Sequence, residues 1–439
     1  MSGLTETLMR LPLLTPVVLI TAFTLSGLVV LFLLARRIPR WVVLAVVAAV
    51  AGAVGGALTL WIVETPVDMF GSPLDWTTRW WVIGCFAALG LAVANARRST
   101  IRRKVGALLG AVVILATTVL GINASYGLNP TVGSLLGVAT ERPLALPAPM
   151  IPANQSLTAA TDPPMPLWKK WKAPAGMAVK GTVGTAVIPN TVSGFTARPA
   201  GIYLPPAAST ANPPALPLVV LLMGQPGNPD PQYIAAILDR YSAAHQGLAP
   251  IVIVADQLGD PTVDTLCLDT PRYGKVETYV NTDVVAWARA HLNILTDRAD
   301  WTIAGYSHGG QCAIAFAAKH PDLWGNVLDI SGEEYPGAEH AAKTLKEIFA
   351  GNQAAYDAQK PAIILSHNHY PDTTAIFTVS TNDPGFMPGV KRVAAAASAA
   401  GMHVTYHEVL NGGHVVGALN GGLEEGFAVL YPRLGLSQP

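Results

Sequence analysis

The sequence predicts an α/β domain with a doubly wound, mostly parallel sheet, preceded by an all-α transmembrane domain of four helices. Long apolar runs occupy the first third of the chain, and short apolar runs alternate with helical stretches in its C-terminal part. A serine among glycines directly follows one of the short runs. We predict a transmembrane domain over residues 1–125, a Pro-rich linker or membrane-surface strap over residues 126–175, and an extracytoplasmic α/β domain over residues 176–439.

The composition indicates a membrane component and gives no reason to expect a nucleic-acid partner. The 28 basic and 28 acidic residues leave a net charge of zero, whereas nucleic-acid binding depends on an excess of positive charge. Only 13% of the residues are charged and 51% are hydrophobic, which is unusual for a soluble chain.

The four long apolar runs define the predicted membrane spans. Each is close to the roughly 20 residues that cross the hydrocarbon core of a bilayer. A cleaved signal peptide is the alternative for the first run, but that run is long and its strongest positive charge follows it. The predicted spans are Leu11–Leu34, Trp41–Val63, Trp80–Ala96 and Val105–Ile122.

The basic residues in the short loops predict the orientation. Such residues are retained on the cytoplasmic side of a membrane. The loop between the second and third spans instead carries Glu64, Asp68 and Asp75. We therefore expect the N-terminus and everything after residue 122 to lie outside the cytoplasm. The basic residues are Arg36, Arg37 and Arg40 after the first span, and Arg97, Arg98, Arg102, Arg103 and Lys104 after the third.

An aromatic and basic cluster, WKKWK, lies in the Pro-rich segment. It consists of Trp168, Lys169, Lys170, Trp171 and Lys172. Indole rings favour the headgroup layer of a membrane, and ammonium groups attract anionic lipids. These residues are predicted to contact the lipid surface. The alternative is that they merely cover the globular domain.

The C-terminal part shows short apolar runs of the kind found in buried parallel strands. Val179–Ile188 and Gly194–Leu204 are predicted as antiparallel edge strands, and the long stretch from Ile330 to Ala375 as a cap. Open α/β sheets carry active sites at the carboxyl ends of their strands, which locates the chemistry. The other predicted strands are Leu216–Met223, Ile251–Ala255, Trp301–Ala304, Val327–Ile330, Ala375–Ser380 and Val404–Leu410, and the predicted helices are Tyr233–Ala244, Tyr279–Leu295, Gln311–Lys319 and Val390–Ala400.

The segment GYSHG around Ser307 has the pattern G-x-S-x-G between a predicted strand and a predicted helix. This is the context of a nucleophile elbow, in which a strained turn exposes the serine hydroxyl. Side chains at Gly305 and Gly309 would collide with the neighbouring strand and helix. We predict that Ser307 is a nucleophile, and the alternative is a polar residue in a tight bend.

A serine nucleophile needs a general base and an acid that orients the base. In α/β proteins with this elbow the chain order is serine, acid, histidine. Asp383 lies on the loop after a predicted strand, and His414 lies on a glycine loop after another. We predict these two residues as the partners of the serine. The alternative for Asp383 is a turn-capping role, with Asp372 and Glu408 as rival acids.

The tetrahedral intermediate of acyl transfer needs backbone N–H donors aimed at its oxyanion. One donor is expected from His308, the residue after the serine. The other is expected from the sharp loop that follows the apolar run ending at Met223, where Gln225 is the donor because Pro226 has no N–H. The alternative is that this loop is an ordinary tight turn.

With these residues in view, the region from about residue 180 to 432 resembles the esterase D and mycolyltransferase branch of the α/β-hydrolases. The resemblance is carried by GIYLPP, LLMGQPG, GYSHGGQCAIAFAAKHPDLWGNVLDISGE and NGGH. It implies an α/β-hydrolase fold, a triad of Ser307, Asp383 and His414, and oxyanion donors at Gln225 and His308. Relatives often have His where this chain has Met223, and the secreted members lack four preceding helices. A trehalose-mycolate substrate is therefore not implied.

Cysteine usage agrees with an external location. Cys85 lies in a predicted membrane helix, which leaves Cys267 and Cys312 as the only pair in the C-terminal domain. A disulfide between them would brace the site in an oxidising compartment. The alternative is two free buried thiols.

These observations predict a membrane-anchored serine esterase acting on envelope lipids, such as an aminoacyl-phospholipid or an acylated glycolipid. An acyltransferase would use the same residues, and a peptidase is a rival within the hydrolases. Two further alternatives are a transporter or channel with a hydrolase-like binding module, which the near absence of intramembrane charge disfavours, and a scaffold. No motif indicates a metal ion or an organic cofactor.

Overall fold

A computed structural model describes residues 3–69, 74–135, 142–144 and 165–439 of the chain. The chain divides into two compact units, Met1–Thr140 and Glu141–Pro439. Most of the Pro-rich segment predicted as a linker lies outside the described residues.

The first unit is built from helices. Its elements are α1 (Gly3–Met9), α2 (Pro16–Leu34), α3 (Trp41–Glu64), α4 (Trp76–Ala96), α5 (Ile101–Tyr126) and α6 (Val132–Leu135). Four of these, α2 to α5, are long and apolar enough to cross a membrane. Helices α3 and α4 pack closely because Gly52 and Gly90 each face a backbone carbonyl of the other helix, where a side chain would collide.

Helix α4 begins earlier than the sequence predicted. The carboxylate of Asp75 accepts a hydrogen bond from the Thr77 N–H at 2.8 Å and so caps the first turn. The charge of Arg79, which ended the apolar run, is paired with Glu64 at 2.9 Å. A cap and an ion pair therefore extend this helix beyond its apolar core.

The second unit contains an eight-stranded sheet and a two-stranded one. The strands are β1 (Thr182–Ala186), β2 (Ala200–Leu204), β3 (Leu218–Leu222), β4 (Ile251–Ala255), β5 (Asp269–Thr270), β6 (Gly274–Lys275), β7 (Trp301–Tyr306), β8 (Asn326–Ile330), β9 (Thr374–Ser380) and β10 (His403–Val409). The order in the large sheet is β1-β2-β4-β3-β7-β8-β9-β10, and β5 pairs with β6. From β4 to β10 neighbouring strands are parallel, whereas β1 and β2 are antiparallel. The predicted doubly wound, mostly parallel sheet with antiparallel strands at one edge is confirmed.

Burial on both faces explains why β3 and β4 are apolar along their whole length. Every residue of β3, β4 and β8 is buried, as expected for strands covered by helices on both faces. Strand β7 lies between β3 and β8 in the middle of the sheet. Its carboxyl end therefore opens at the centre of the sheet edge where active sites of such folds form.

Helices cover this sheet. They are α7 (Leu167–Lys170), α8 (Gln232–Ala244), α9 (Val276–Thr278), α10 (Val285–His291), α11 (His308–Lys319), α12 (Ala341–Glu347), α13 (Gln353–Asp357), α14 (Pro361–Ser366), α15 (Met387–Ala399) and α16 (Val416–Arg433), with a π-helical segment, Tyr279–Val284, leading into α10. The helix predicted to reach Leu295 ends at His291, because the Leu295 N–H donates instead to the Leu216 carbonyl at 2.9 Å. The predicted cap segment holds α12, α13 and α14.

Candidate active site

Ser307 lies on a strained turn between β7 and α11. Its backbone has φ 55° and ψ −121°, a conformation that non-glycine residues rarely adopt. A side chain at Gly305 would collide with the Gly309 carbonyl, and one at Gly309 would collide with the Leu222 carbonyl. Gly305 thus lets the strand lie close to the start of α11, and Gly309 lets that helix lie close to the end of β3.

The structure brings Ser307, His414 and Asp383 into one hydrogen-bonded chain. The Ser307 hydroxyl lies 2.8 Å from Nε2 of His414. Nδ1 of His414 lies 2.7 Å from Oδ2 of Asp383. An ionised carboxylate can only accept, so it fixes the imidazole proton on Nδ1 and leaves the Nε2 lone pair to accept from the serine. This arrangement can withdraw a proton from the hydroxyl.

The side chains of Ser307, His414 and Asp383 differ in how far they are exposed to solvent. Asp383 is 4% exposed and Ser307 is 7% exposed, whereas the His414 side chain is 24% exposed. The acid is shielded from water, and the imidazole lies at the opening of the site.

The loops that carry the acid and the histidine are held to each other. Asn382, next to Asp383, accepts a hydrogen bond from the Gly413 N–H at 2.7 Å through its side-chain oxygen. The Phe386 N–H lies 3.4 Å from Oδ1 of Asp383. The carboxylate of Asp383 is therefore contacted through both oxygens, Oδ2 by His414 and Oδ1 by the Phe386 N–H, and these contacts fix its orientation.

The imidazole of His414 lies between two aromatic rings. The Phe386 ring is stacked on it with centroids 3.6 Å apart and an interplanar angle of 15°. The Tyr306 ring is 5.4 Å away at 26°. Sequence analysis missed both rings as parts of the site, because their contact depends on the tertiary approach of separate loops.

The loop predicted to hold the second oxyanion donor lies beside the serine. A Cβ placed on Gly224 would lie 3.3 Å from Cβ of Ser307. Gln225, the next residue, is half-buried on the same loop. The loop thus follows the carboxyl end of β3 and runs directly past the elbow.

Side chains that the sequence did not single out support this loop. The Gln257 amide donates to the Met223 carbonyl at 2.5 Å. The Arg198 guanidinium donates to the Gly227 carbonyl at 3.0 Å. Arg198 is held in turn by Asp256, a 1% exposed residue whose carboxylate lies 2.6 Å from the guanidinium. Both ends of the loop are fixed from the β4 side of the site.

The side chain of His308 is buried, and polar groups face both of its ring nitrogens. Nε2 lies 3.1 Å from Oδ1 of Asp264, and Nδ1 lies 3.4 Å from the Gln257 amide. Burial disfavours ionisation of Asp264, but the neighbouring His308 outweighs this and holds the pKa of the carboxyl below its ordinary value. His308 and Gln257 therefore connect the elbow with the loop beside it.

Cys267 and Cys312 form the predicted disulfide, with Cα atoms 5.6 Å apart. It joins the loop after β4 to the second turn of α11. The sulfurs and His308 lie within 4.8 Å of one another, which is the spacing of metal ligands. Because both sulfurs are in the disulfide, they offer no thiolates to a metal ion.

The two indoles of the WKKWK cluster pack on the core of the second unit, to which the cluster belongs. Trp168 and Trp171 are partly buried and pack on the core, and the Trp171 indole donates to the Gln246 carbonyl at 2.9 Å. Lys169, Lys170 and Lys172 are exposed. The packing of the indoles accounts for the aromatic half of the cluster, and membrane contact by the lysines remains a prediction.

Comparisons with known proteins identify similar chains. An uncharacterized protein of Corynebacterium glutamicum is 29% identical over 415 residues, covering 91% of each chain. That share exceeds the length of the second unit, so the match extends into the helical one. Among solved structures, an S-formylglutathione hydrolase from Agrobacterium tumefaciens has a TM-score of 0.48 and 17% identity, covering 58% of this chain and 97% of its own. A ferulic acid esterase has a TM-score of 0.46 and 17% identity, covering 58% and 99%.

The family model described as "Putative esterase" matches residues 196–422, which is more than half of the chain. The matched region begins before β2 and ends in α16, so it contains the elbow and both loops of the hydrogen-bonded chain. The chain therefore belongs to the esterase family, with an α/β-hydrolase fold, and is a carboxylic ester hydrolase.

Proposed function

We propose that this protein is a membrane-anchored serine esterase that cleaves ester bonds of envelope lipids on the outer side of the membrane. The observation that carries the proposal is the chain of hydrogen bonds from Ser307 through His414 to Asp383, at 2.8 and 2.7 Å, on a strained elbow. A strained turn of this kind presents a serine hydroxyl at the sheet edge.

In the proposed reaction the Ser307 hydroxyl attacks the ester carbonyl while Nε2 of His414 accepts its proton. Asp383 stabilises the imidazolium that forms. The proton then passes from His414 to the leaving alcohol, and the acyl group stays on the serine. A water molecule, activated by the same imidazole, hydrolyses this acyl-enzyme and restores the serine.

The backbone N–H groups of Gln225 and His308 would stabilise the oxyanion of each tetrahedral intermediate. His308 is the first residue of α11, so its N–H is one of those that an α-helix leaves without a partner in the helix. Gln225 lies on the loop beside the serine. The contacts of Gln257 and Arg198 with that loop would hold the donor in place before substrate arrives.

The membrane and lipid parts of the proposal come from the first unit. Its four candidate spans have basic residues in the two loops assigned to the cytoplasm, which supports an external position for the second unit. The disulfide agrees with this orientation, because such bonds persist in oxidising compartments. An esterase tethered at the bilayer meets ester-bearing lipids, and the exposed lysines at 169, 170 and 172 would favour anionic ones.

Activity-based labelling tests the catalytic proposal. The full chain in detergent is expected to react with a fluorophosphonate probe, and Ser307→Ala is expected to abolish labelling. His414→Gln is expected to slow labelling strongly while leaving the fold intact. Labelling of the Ser307→Ala variant at the wild-type rate would refute the assignment of the nucleophile.

Lipid assays test the substrate class. Purified wild type and Ser307→Ala are incubated in mixed micelles with an aminoacyl-phosphatidylglycerol or with an acylated glycolipid, and the released amino acid or fatty acid is measured. Addition of an acceptor alcohol distinguishes hydrolysis from acyl transfer. Ester-lipid profiles that are the same in cells making either protein would count against the lipid assignment without affecting the labelling result.

A further inference from the structure

An apolar groove opens on the helical unit where α2 ends, α3 begins and α4 passes. Its volume is about 260 Å³, and its walls are Leu34 of α2, Leu91 of α4 and five residues of α3 between Trp41 and Ala49. Val42 and Val46 on its rim are 73% and 56% exposed. In a bilayer this rim faces the lipid chains, so the groove is open to them.

The end of the unit beside this groove is strongly basic. The loop after α2 carries Arg36, Arg37 and Arg40, and the loop after α4 carries Arg97 and Arg98, with no acidic residue in either loop. The side chains of all but Arg36 are exposed. The acidic residues Glu64, Asp68 and Asp75 lie toward the opposite ends of α3 and α4.

Arg36 fixes the two basic loops to each other and to the groove. Its guanidinium donates to the carbonyls of Ala94, Arg97 and Arg98 at 3.2, 3.3 and 2.9 Å. It also lies 5.0 Å from the centroid of the Trp41 ring, which forms a wall of the groove. The cations of both loops are thereby held near one end of the apolar groove.

We propose that the groove and the exposed arginines beside it form a binding site for an anionic phospholipid. One acyl chain would lie along the groove, and the phosphate would pair with the guanidinium groups of Arg37, Arg40 and Arg97. Arginine pairs with phosphate through two parallel hydrogen bonds, and these cations have no carboxylate in their own loops. The proposal rests on membrane insertion of the four helices but not on the catalytic role of Ser307.

The test is lipid binding to the full-length protein in detergent, measured by native mass spectrometry with dioleoyl phosphatidylglycerol and dioleoyl phosphatidylcholine. Arg37→Gln combined with Arg97→Gln is expected to weaken binding of phosphatidylglycerol on the order of tenfold. The matched control is Arg102→Gln combined with Lys104→Gln. This pair removes two charges from the same end of the unit, but on α5, which contributes no wall to the groove.

A second pair of matched variants tests the apolar part of the site. Ala49→Phe fills the groove and is expected to lower binding of both lipids, whereas Val47→Phe adds the same ring on α3 outside the groove and is expected to leave binding unchanged. Fluorophosphonate labelling and the helical circular dichroism of each variant report whether it folds.

Three results would overturn the proposal. They are equal affinity for the two lipids, equal losses in the two charge-removing pairs, and competition by inorganic phosphate as strong as that by the lipid. The last result would indicate a site for a free anion. Failure of labelling in the wild type would refute the proposed esterase mechanism and would leave the lipid site untouched.

Discussion

The buried carboxyl of Asp329 makes the stability of the second unit depend on pH. Asp329 is 1% exposed in β8, and Oδ1 accepts a hydrogen bond from the Gly332 N–H at 2.8 Å. Burial raises the pKa of this carboxyl to about 7, from an ordinary value of 3.8, against the smaller opposing effect of that hydrogen bond. Removing water from a carboxylate costs more than one backbone donor restores.

The direction in which stability changes with pH follows from proton binding to Asp329. Between about pH 4 and about pH 7 the folded protein holds a proton on Asp329 that the unfolded chain has lost, so stability falls as the pH rises and levels off above about pH 7. A shift of about three units corresponds to about 4 kcal/mol, of which about 3 kcal/mol is lost between about pH 5 and about pH 8. In a unit of this size that loss lowers the midpoint of thermal unfolding by on the order of 8 °C.

Asp329→Asn isolates this effect, because the amide oxygen can still accept from Gly332 and cannot ionise. Thermal unfolding of the full chain in one detergent, followed by tryptophan fluorescence, is expected to show a smaller decline with pH in the variant. Burial also raises the pKa values of Asp300 and Glu333. Their titration contributes to the decline of stability with pH in both proteins. Equal slopes in wild type and variant would refute the assignment of a protonated carboxyl at position 329.

Three further outcomes follow from contacts around the site. Gln257→Leu removes the hydrogen bond to the loop beside the serine and is expected to lower kcat roughly tenfold with little change in KM; a change in KM alone would contradict this. Phe386→Ala removes the ring stacked on His414 and is expected to slow fluorophosphonate labelling about tenfold, whereas Phe386→Tyr should restore it. Replacing Cys267 and Cys312 by serine is expected to cost about 2–4 kcal/mol in chemical unfolding, and an unchanged midpoint would show that the disulfide adds no stability.

The fold could be predicted where one local pattern decides the outcome. Strand β4 occupies the predicted residues Ile251–Ala255, because a short, fully apolar run is typical of a strand buried on both faces of a sheet. The membrane helices could be predicted from length and hydropathy. The ends of α4 and α10 could not, because a cap at Asp75 and a long-range hydrogen bond from Leu295 set them.

The candidate site, too, could be predicted only in part from the sequence. Ser307, Asp383 and His414 were predicted because elbow geometry and chain order are visible along the sequence, and the structure brings all three together. Phe386, Asn382 and the residues that support the loop beside the serine carry no such pattern. Each acts only through a partner that is distant in the chain or on another loop, so its role becomes visible only in three dimensions.

The residues of the candidate site differ in how freely they could change in evolution or by engineering. Ser307 and His414 would touch the reacting atoms and Asp383 would hold the imidazole, and this chemistry leaves little choice of side chain. The residues that the sequence did not indicate, such as Arg198, Gln257 and Asp256, would set where the proposed backbone donors lie. Since an oxyanion hole works only if its donors are in place before reaction, substitutions there should change rate while leaving the reaction class unchanged. Selectivity for one ester over another must then arise elsewhere, in side chains that contact the acyl group and the leaving alcohol.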